Sequence, residues 1–181
     1  MELIKIIEGC RSGNQFAENV LFDMYYKHMY NISRRILNNH NDVEDVLIIS
    51  FTKIFENIEK LEFRGELTFT KWIKTIVINE SIRFVKKRDQ VKYDDHIPEL
   101  STDSEFDYNL TNIDVEQIYY IIESMPSGYR LVFNLFAIEG YSHREISDLL
   151  NISENTSKSQ LRKARLDIIK KMNKIKDNGK A

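Results

Sequence analysis

Only two prolines and six glycines interrupt a chain of 181 residues. That scarcity disfavours a turn-rich all-β fold and suits long uninterrupted helices. One cysteine, Cys10, excludes an internal disulfide framework and a cysteine-based zinc site. It reads as a small core hydrophobe in a reducing compartment. No apolar run approaches the roughly 18 residues that a spanning helix needs, so no membrane insertion is expected. The opening Met1-Glu2-Leu3-Ile4-Lys5 has no basic leader before a long apolar region, and cytoplasmic placement is the expectation. The four histidines, His28, His40, His96 and His143, are scattered without metal-ligand spacing. No phosphate-binding glycine loop and no nucleophile elbow occurs, so no catalytic residue, metal or cofactor is expected and the chain does not read as an enzyme.

Excess charge of either sign is also missing, since the net charge is −2. The balance hides a pattern. Residues 1–88 hold 14 basic and 12 acidic side chains, a balance of +2. Residues 89–114 hold Lys92 against eight acids, or −7, together with Pro98, Ser101, Thr102 and Ser104. Residues 115–181 hold 11 basic and eight acidic side chains, or +3. The middle stretch has no helical apolar stripe and reads as an acidic flexible linker. The expected architecture is all-α: two small helical domains, 1–88 and 115–181, joined by that linker.

In the first domain, Leu3, Ile6, Ile7 and Cys10 follow the spacing of a short amphipathic helix. A second helix over about 15–38 is expected to turn Phe16, Val20, Leu21, Met24, Ile32 and Ile36 inward. A third opens at Asn41 and Glu44, which resemble a capping box. Asp42, Glu44 and Asp45 place negative charge on its first turn, where the helix dipole favours it. Leu47, Phe51, Ile54, Phe55 and Ile58 form its stripe, and Ile49 falls almost opposite, either as an ordinary single exposed apolar residue or as part of a docking face. A short loop, Leu61 to Thr68, carries the off-pattern Phe63. The fourth helix, about Phe69 to Arg88, has Phe69, Trp72, Ile73, Ile76, Val77 and Phe84 on one face. Glu80 interrupts that face, and Arg83, Lys86, Lys87 and Arg88 make its end basic. A loop aromatic beside a basic helix suits unstacked bases and their phosphates; cations also suit a helix C-terminus for purely local reasons.

The second domain carries the stronger local signal. Val115, Ile118, Tyr119 and Ile122 start a helix that stops near Met125, and Pro126 opens the next. Leu131, Val132, Leu135 and Phe136 are its core face, and Gly140 ends it. Ser142-His143-Arg144-Glu145 is a capping box. Ile146, Leu149 and Leu150 follow as an apolar face, Asn151 suits a left-handed turn, and Ser153 caps another helix with Leu161, Ala164 and Ile168 inward. A short helix, a tight turn and a longer helix make a helix-turn-helix. Asn155, Lys158, Ser159, Arg162 and Arg165 are its expected outward positions. Residues 154–181 hold nine basic and three acidic side chains, or +6. Lys and Arg reach phosphates and guanine edges, and the first turns of such a helix enter the major groove.

These residues resemble the extracytoplasmic-function (ECF) branch of the sigma-70 family, the bacterial promoter-specificity subunits of RNA polymerase. Three stretches carry the likeness, in order, over roughly residues 15–170. Asp42-Val43-Glu44-Asp45-Val46 with Phe51 resembles the segment that docks on the polymerase clamp. Phe63-Arg64-Gly65-Glu66, then Trp72 to Asn79, resembles the promoter-melting segment. Glu139 to Ile146, then Thr156 to Arg165, resembles the reader of the upstream element.

The resemblance implies a division of labour. Asp42, Glu44, Asp45, Ile49 and Phe51 would dock on core RNA polymerase. Phe63, Arg64, Gly65, Glu66, Asn79, Arg83, Lys86 and Lys87 would hold the −10 element, with one base flipped out near the loop. Arg144, Asn155, Thr156, Lys158, Ser159, Arg162 and Arg165 would read the −35 element as duplex. The implied partners are core polymerase and promoter DNA, and in many members an anti-sigma factor that covers the docking faces. Departures from the family pattern are the pair Ile48-Ile49 where a polar pair is common, Arg83 where an acid is frequent, and Ser157 in place of a small apolar residue. The Ser157 hydroxyl is expected to bond back to its own helix. A stand-alone helix-turn-helix regulator is the alternative; it explains 115–181 but leaves Phe63–Asn79 and the acidic linker without a role.

Overall fold

The computed structural model describes residues 2–89 and 115–178, and every regular element among them is helical. The chain divides into two compact units, 1–90 and 91–181. The acidic linker lies outside the described residues except at Asp89.

The first unit contains α1 (Leu3–Arg11), α2 (Gln15–Leu37), α3 (His40–Asn57), a 3-10 turn (Ile58–Lys60) and α4 (Glu66–Asp89). Helices α2, α3 and α4 pack on one another, and α1 lies along α2. The core seam of α2 runs through Leu21, Tyr25, Met29, Ile32 and Ile36. This corrects the expected inward face. Phe16 is 67% exposed and Met24 51% exposed, because Tyr25 and Met29 take the buried side. On α3, Leu47, Phe51 and Ile54 are buried as the spacing predicts, as is Ile58 in the 3-10 turn, while Phe55 is half-buried. Each buried chain of this size contributes about 1.5–3 kcal/mol. Gly9 lets α1 and α2 approach closely, since a Cβ there would stand 2.6 Å from Cβ of Ala17. Cys10 is buried beside it, and desolvation with help from Glu18 pushes its thiol up to about 11, as fits a core hydrophobe.

The start of α3 also differs from expectation. Its N-cap is Asn39, whose side chain accepts from the backbone N–H groups of Asn41 and Asp42 at 2.9 and 3.3 Å. Asn41 is therefore already inside the helix. Asn38 adopts a left-handed conformation with φ 61°, so the turn between α2 and α3 is complete by then.

Polar links across the helices fix their register. The hydroxyls of Ser33 and Ser81 meet at 3.0 Å in the core, and Tyr25 reaches Thr70 at 3.2 Å. Glu80, which breaks the stripe of α4, accepts from Lys53 of α3 at 2.6 Å.

The second unit contains α5 (Val115–Glu123), α6 (Ser127–Phe133) continuing into a π-helical turn (Asn134–Ile138), α7 (His143–Leu150) and α8 (Glu154–Asn178). Ile121, Ile122, Met125 and Ala164 form a buried cluster, with Ile168 and Met172 of α8 packed against it. Arg130 is buried, and its Nη1 donates to the carbonyls of Glu123 and Met125 at 3.2 and 2.9 Å. Those carbonyls lie where α5 runs out of helical partners, so a cation there satisfies orphan acceptors. Gly140, with φ +77°, turns the chain from the π-helical turn into α7.

Candidate functional site

Three surfaces carry the candidate residues. The first is α3. Glu44, Asp45, Ile48 and Ile49 are exposed on it, Ile48 at 64% and Ile49 at 43%. Phe51 is buried instead, its ring 4.7 Å from that of Phe22 and 6.1 Å from that of Phe55. It can act on a partner only by holding α3 in place. Asp42 is half-buried and pairs with Arg88 at the end of α4, so it ties two helix ends together. The exposed part of this candidate surface is thus Glu44, Asp45 and the isoleucine pair: two carboxylates at a helix start beside apolar surface.

The second surface is the loop before α4 and the outer face of that helix. Phe63 is half-buried with its ring edge-on to Phe69 at 6.1 Å, and Phe69 in turn contacts Trp72 at 5.7 Å. The loop aromatic is thereby anchored on the helix that follows. Arg64 pairs with Glu62 at 2.6 Å on an exposed edge. Gly65, with φ +107°, makes the bend that starts α4, and Glu66 occupies its first turn. The helix begins at Glu66 rather than Phe69, because this turn is already helical. Asn79, Arg83 and Lys87 recur every fourth residue and are all exposed, forming one polar and basic stripe. Lys86 is half-buried, and burial lowers the pKa of its ammonium. A π-face at the bend that opens a helix, with a polar and basic stripe further along that helix, suits a single strand with a base out of the stack.

The third surface is the helix-turn-helix. Both halves of the capping box are formed: Glu145 N–H donates to Ser142 Oγ at 3.2 Å, and Ser142 N–H donates to the Glu145 carboxylate at 2.8 Å. Asn151 is left-handed with φ 56°, and Ser153 Oγ accepts from Thr156 N–H at 2.9 Å to cap α8. Arg144, Asn155 and Lys158 are exposed. Arg162 and Arg165 are half-buried. Ser159 is a correction to the outward set: it is buried and its hydroxyl donates to the Thr156 carbonyl at 2.9 Å. Thr156 is buried too, with its hydroxyl 2.8 Å from that of Ser153. The exposed polar edge of α8 is therefore narrower than its sequence suggests.

Ser157 also departs from expectation. Its hydroxyl lies 2.9 Å from Nδ1 of His143 on α7, not on its own helix turn. The His143 ring stacks on Phe136 with centroids 4.5 Å apart and planes 21° apart. No sequence signal marked this three-way contact, because it joins residues from three elements. Sequence reading also missed an apolar cleft of about 290 Å³ in this unit, lined by Ile118, Phe133, Arg165, Ile168 and Met172 among others. Among the described residues no group of three or more His, Cys, Asp or Glu side chains is placed to hold a metal, and no helix is long and apolar enough to cross a membrane.

Residues 21–91 match the family model for sigma-70 region 2, and residues 115–168 match that for sigma-70 region 4. The chain is similar to the ECF RNA polymerase sigma-E factor of Haemophilus influenzae, 24% identical over 88% of this chain and 89% of that one. It is similar to the ECF RNA polymerase sigma factor SigW of Bacillus subtilis, 25% identical over 91% and 94%. Among solved structures, the sigma factor RpoE bound to the anti-sigma factor NepR from Bartonella quintana matches with a TM-score of 0.52 at 15% identity, covering 86% of this chain and 96% of that one. CnrH bound to the cytosolic domain of CnrY matches at 0.51 and 18%, covering 93% and 95%. At such identities these two likenesses concern the fold.

Proposed function

The chain belongs to the sigma-70 family, in its extracytoplasmic-function branch, and from that premise we propose how its two units share the work. The protein directs core RNA polymerase to specific promoters for transcription initiation. In this reading residues 1–88 dock on the polymerase and take the −10 element, and residues 115–181 read the −35 element. The linker 89–114 joins the two. The observation that carries the reading is the order of two region matches on two separately folded units, the second presenting a fully capped helix-turn-helix.

Each surface supplies one physical task. Glu44, Asp45, Ile48 and Ile49 offer a charged and apolar face to the polymerase. Phe63 offers a stacking surface for an extruded base, whose unstacking costs a few kcal/mol, and Asn79, Arg83 and Lys87 follow the strand. Asn155 and Lys158 reach duplex edges, while Arg144 and Arg162 serve phosphates. The modest net charge fits a protein that binds DNA as part of a larger assembly, where the polymerase contributes most phosphate contacts. The chain supplies no catalytic group and works in the cytoplasm. An anti-sigma factor, as seen bound to the RpoE relative, is the expected inhibitory partner.

The test is reconstituted transcription with core polymerase on a genomic promoter library, beside footprinting of the protein alone. Promoter-specific transcripts that require both components support the reading. A specific duplex footprint at nanomolar protein without polymerase, and no transcription with it, would establish the stand-alone regulator instead.

A further inference from the structure

We propose that His143 is a positioning residue for the DNA-reading helix: its ring, held between Phe136 and Ser157, sets how α8 leaves the turn, and a proton on the ring loosens that hold because positive charge is disfavoured at this helix N-terminus. The inference rests on the reading that α8 recognises the upstream element. His143 is the first residue of α7, directly after the Ser142 cap. Its ring lies flat on Phe136 of the π-helical turn, and its Nδ1 meets the fully buried Ser157 hydroxyl at 2.9 Å. One side chain thus joins the element before the helix-turn-helix, its first helix and its second. Ser157 lies between the exposed Asn155 and Lys158, within the turns of α8 that would enter the groove. Whatever fixes Ser157 fixes the direction of those two side chains.

The surroundings disfavour charge on this ring for independent reasons. A helix N-terminus is the positive end of its dipole. From α8, Lys158 and Arg165 repel a cation while Glu154 attracts one. On α7 the adjacent charges are Arg144 and Glu145, and the Glu145 carboxylate is committed to the cap. The π-helical turn contributes the apolar face of Phe136 and is followed by Glu139. Burial is the largest cause of a pKa below the ordinary histidine value, followed by Lys158, with Glu154 opposing and Arg165 adding.

The test uses holoenzyme assembled from core polymerase and the full chain. It measures the ratio of transcripts from a promoter with its matched upstream element to one with that element scrambled, between pH 5.5 and 8. The parent ratio is expected to fall at least threefold as pH drops below 6.5. Ser157→Ala and His143→Ala should lower the ratio at pH 8 by about threefold or more. His143→Asn, whose amide reaches Ser157 from the same distance along the side chain, should restore at least half of the parental ratio and remove its pH dependence. A ring titration of His143 by NMR in the full chain should shift on Ser157→Ala. A folded His143→Ala or Ser157→Ala chain with the parental ratio throughout would overturn the positioning role alone; His143→Asn keeping the parental pH profile would overturn the role of the proton. A parental ratio of one at pH 8 would overturn the reading of α8 and this inference with it.

Discussion

Glu80 interrupts an apolar stripe because its partner is on another helix. Lys53 and Glu80 pair at 2.6 Å with side chains 36% and 15% exposed. Removing the carboxylate leaves an ammonium that is only partly able to rehydrate, so Glu80→Ala should cost about 1–2 kcal/mol, less than a dry pair would. Urea unfolding of Glu80→Ala, Lys53→Ala and the double variant should show non-additivity of at least ~0.5 kcal/mol; additive losses would mean that the pair contributes nothing. Gly9 poses the opposite problem, a missing side chain. A methyl group at 2.6 Å from Cβ of Ala17 forces α1 and α2 apart, and overpacking of that kind costs about 1–3 kcal/mol. Gly9→Ala should therefore lower the urea midpoint, and adding Ala17→Gly should recover part of the loss. A Gly9→Ala chain as stable as the parent would show that the two helices slide apart freely.

At the scale of elements, the ends of helices were more legible than their faces. The Ser142 box was readable because its partners lie three residues apart in one chain segment, and both of its hydrogen bonds are formed. Ser142→Ala should cost about 1 kcal/mol, and hydrogen exchange should place that loss in α7 and the start of α8 rather than in α2–α4. The same pattern at Asn41 and Glu44 misled, because Asn39 stands two residues earlier with an equally good capping side chain. Faces were harder. Hydrophobicity points Phe16 and Met24 inward, yet Tyr25 fills the seam with its ring and satisfies its hydroxyl on Thr70. Polarity points Ser159 outward, yet a hydroxyl that bonds back to Thr156 travels inside without cost to its hydrogen bonding. Such choices depend on partners far away in sequence. The His143 contact is of this kind and should give α7 and α8 a pH dependence of definite sign. A base whose pKa is lowered by folding takes up protons more readily when unfolded. The stability it supports is complete above the ordinary value near 6.5 and is lost as pH falls from there towards the lowered folded value. Exchange protection of α7 and α8, corrected for the intrinsic rate, should therefore drop between pH 7 and 5.5. His143→Asn should flatten that drop, and equal slopes in both proteins would assign it to another group.

Across the whole molecule, charge is segregated so that two weakly basic units flank a stretch of −7. Neither unit has the basic excess of a protein that grips DNA unaided, which fits recognition shared with a polymerase. In the proposed reading the two units also face different physical forms of DNA. Phe63 is anchored edge-on to Phe69 and offers its other side at a bend, a geometry for a base already out of the stack. Lys158 stands exposed on a capped helix, a geometry for the edge of an intact duplex. Substitutions should therefore separate the two functions. Lys158→Ala removes a contact worth about 1–3 kcal/mol if it reaches a base edge, and relaxes preference at one or two upstream positions; a phosphate contact would instead weaken all sequences alike. Either way it should leave opening of a pre-melted template unchanged. Phe63→Ala should do the reverse, sparing upstream preference while slowing strand opening at least tenfold, because nothing then holds the extruded base. Promoter selection paired with permanganate probing of unpaired thymines measures both. If Phe63→Ala opens promoters as fast as the parent while Lys158→Ala blocks opening on the pre-melted template, the two units have each other's roles.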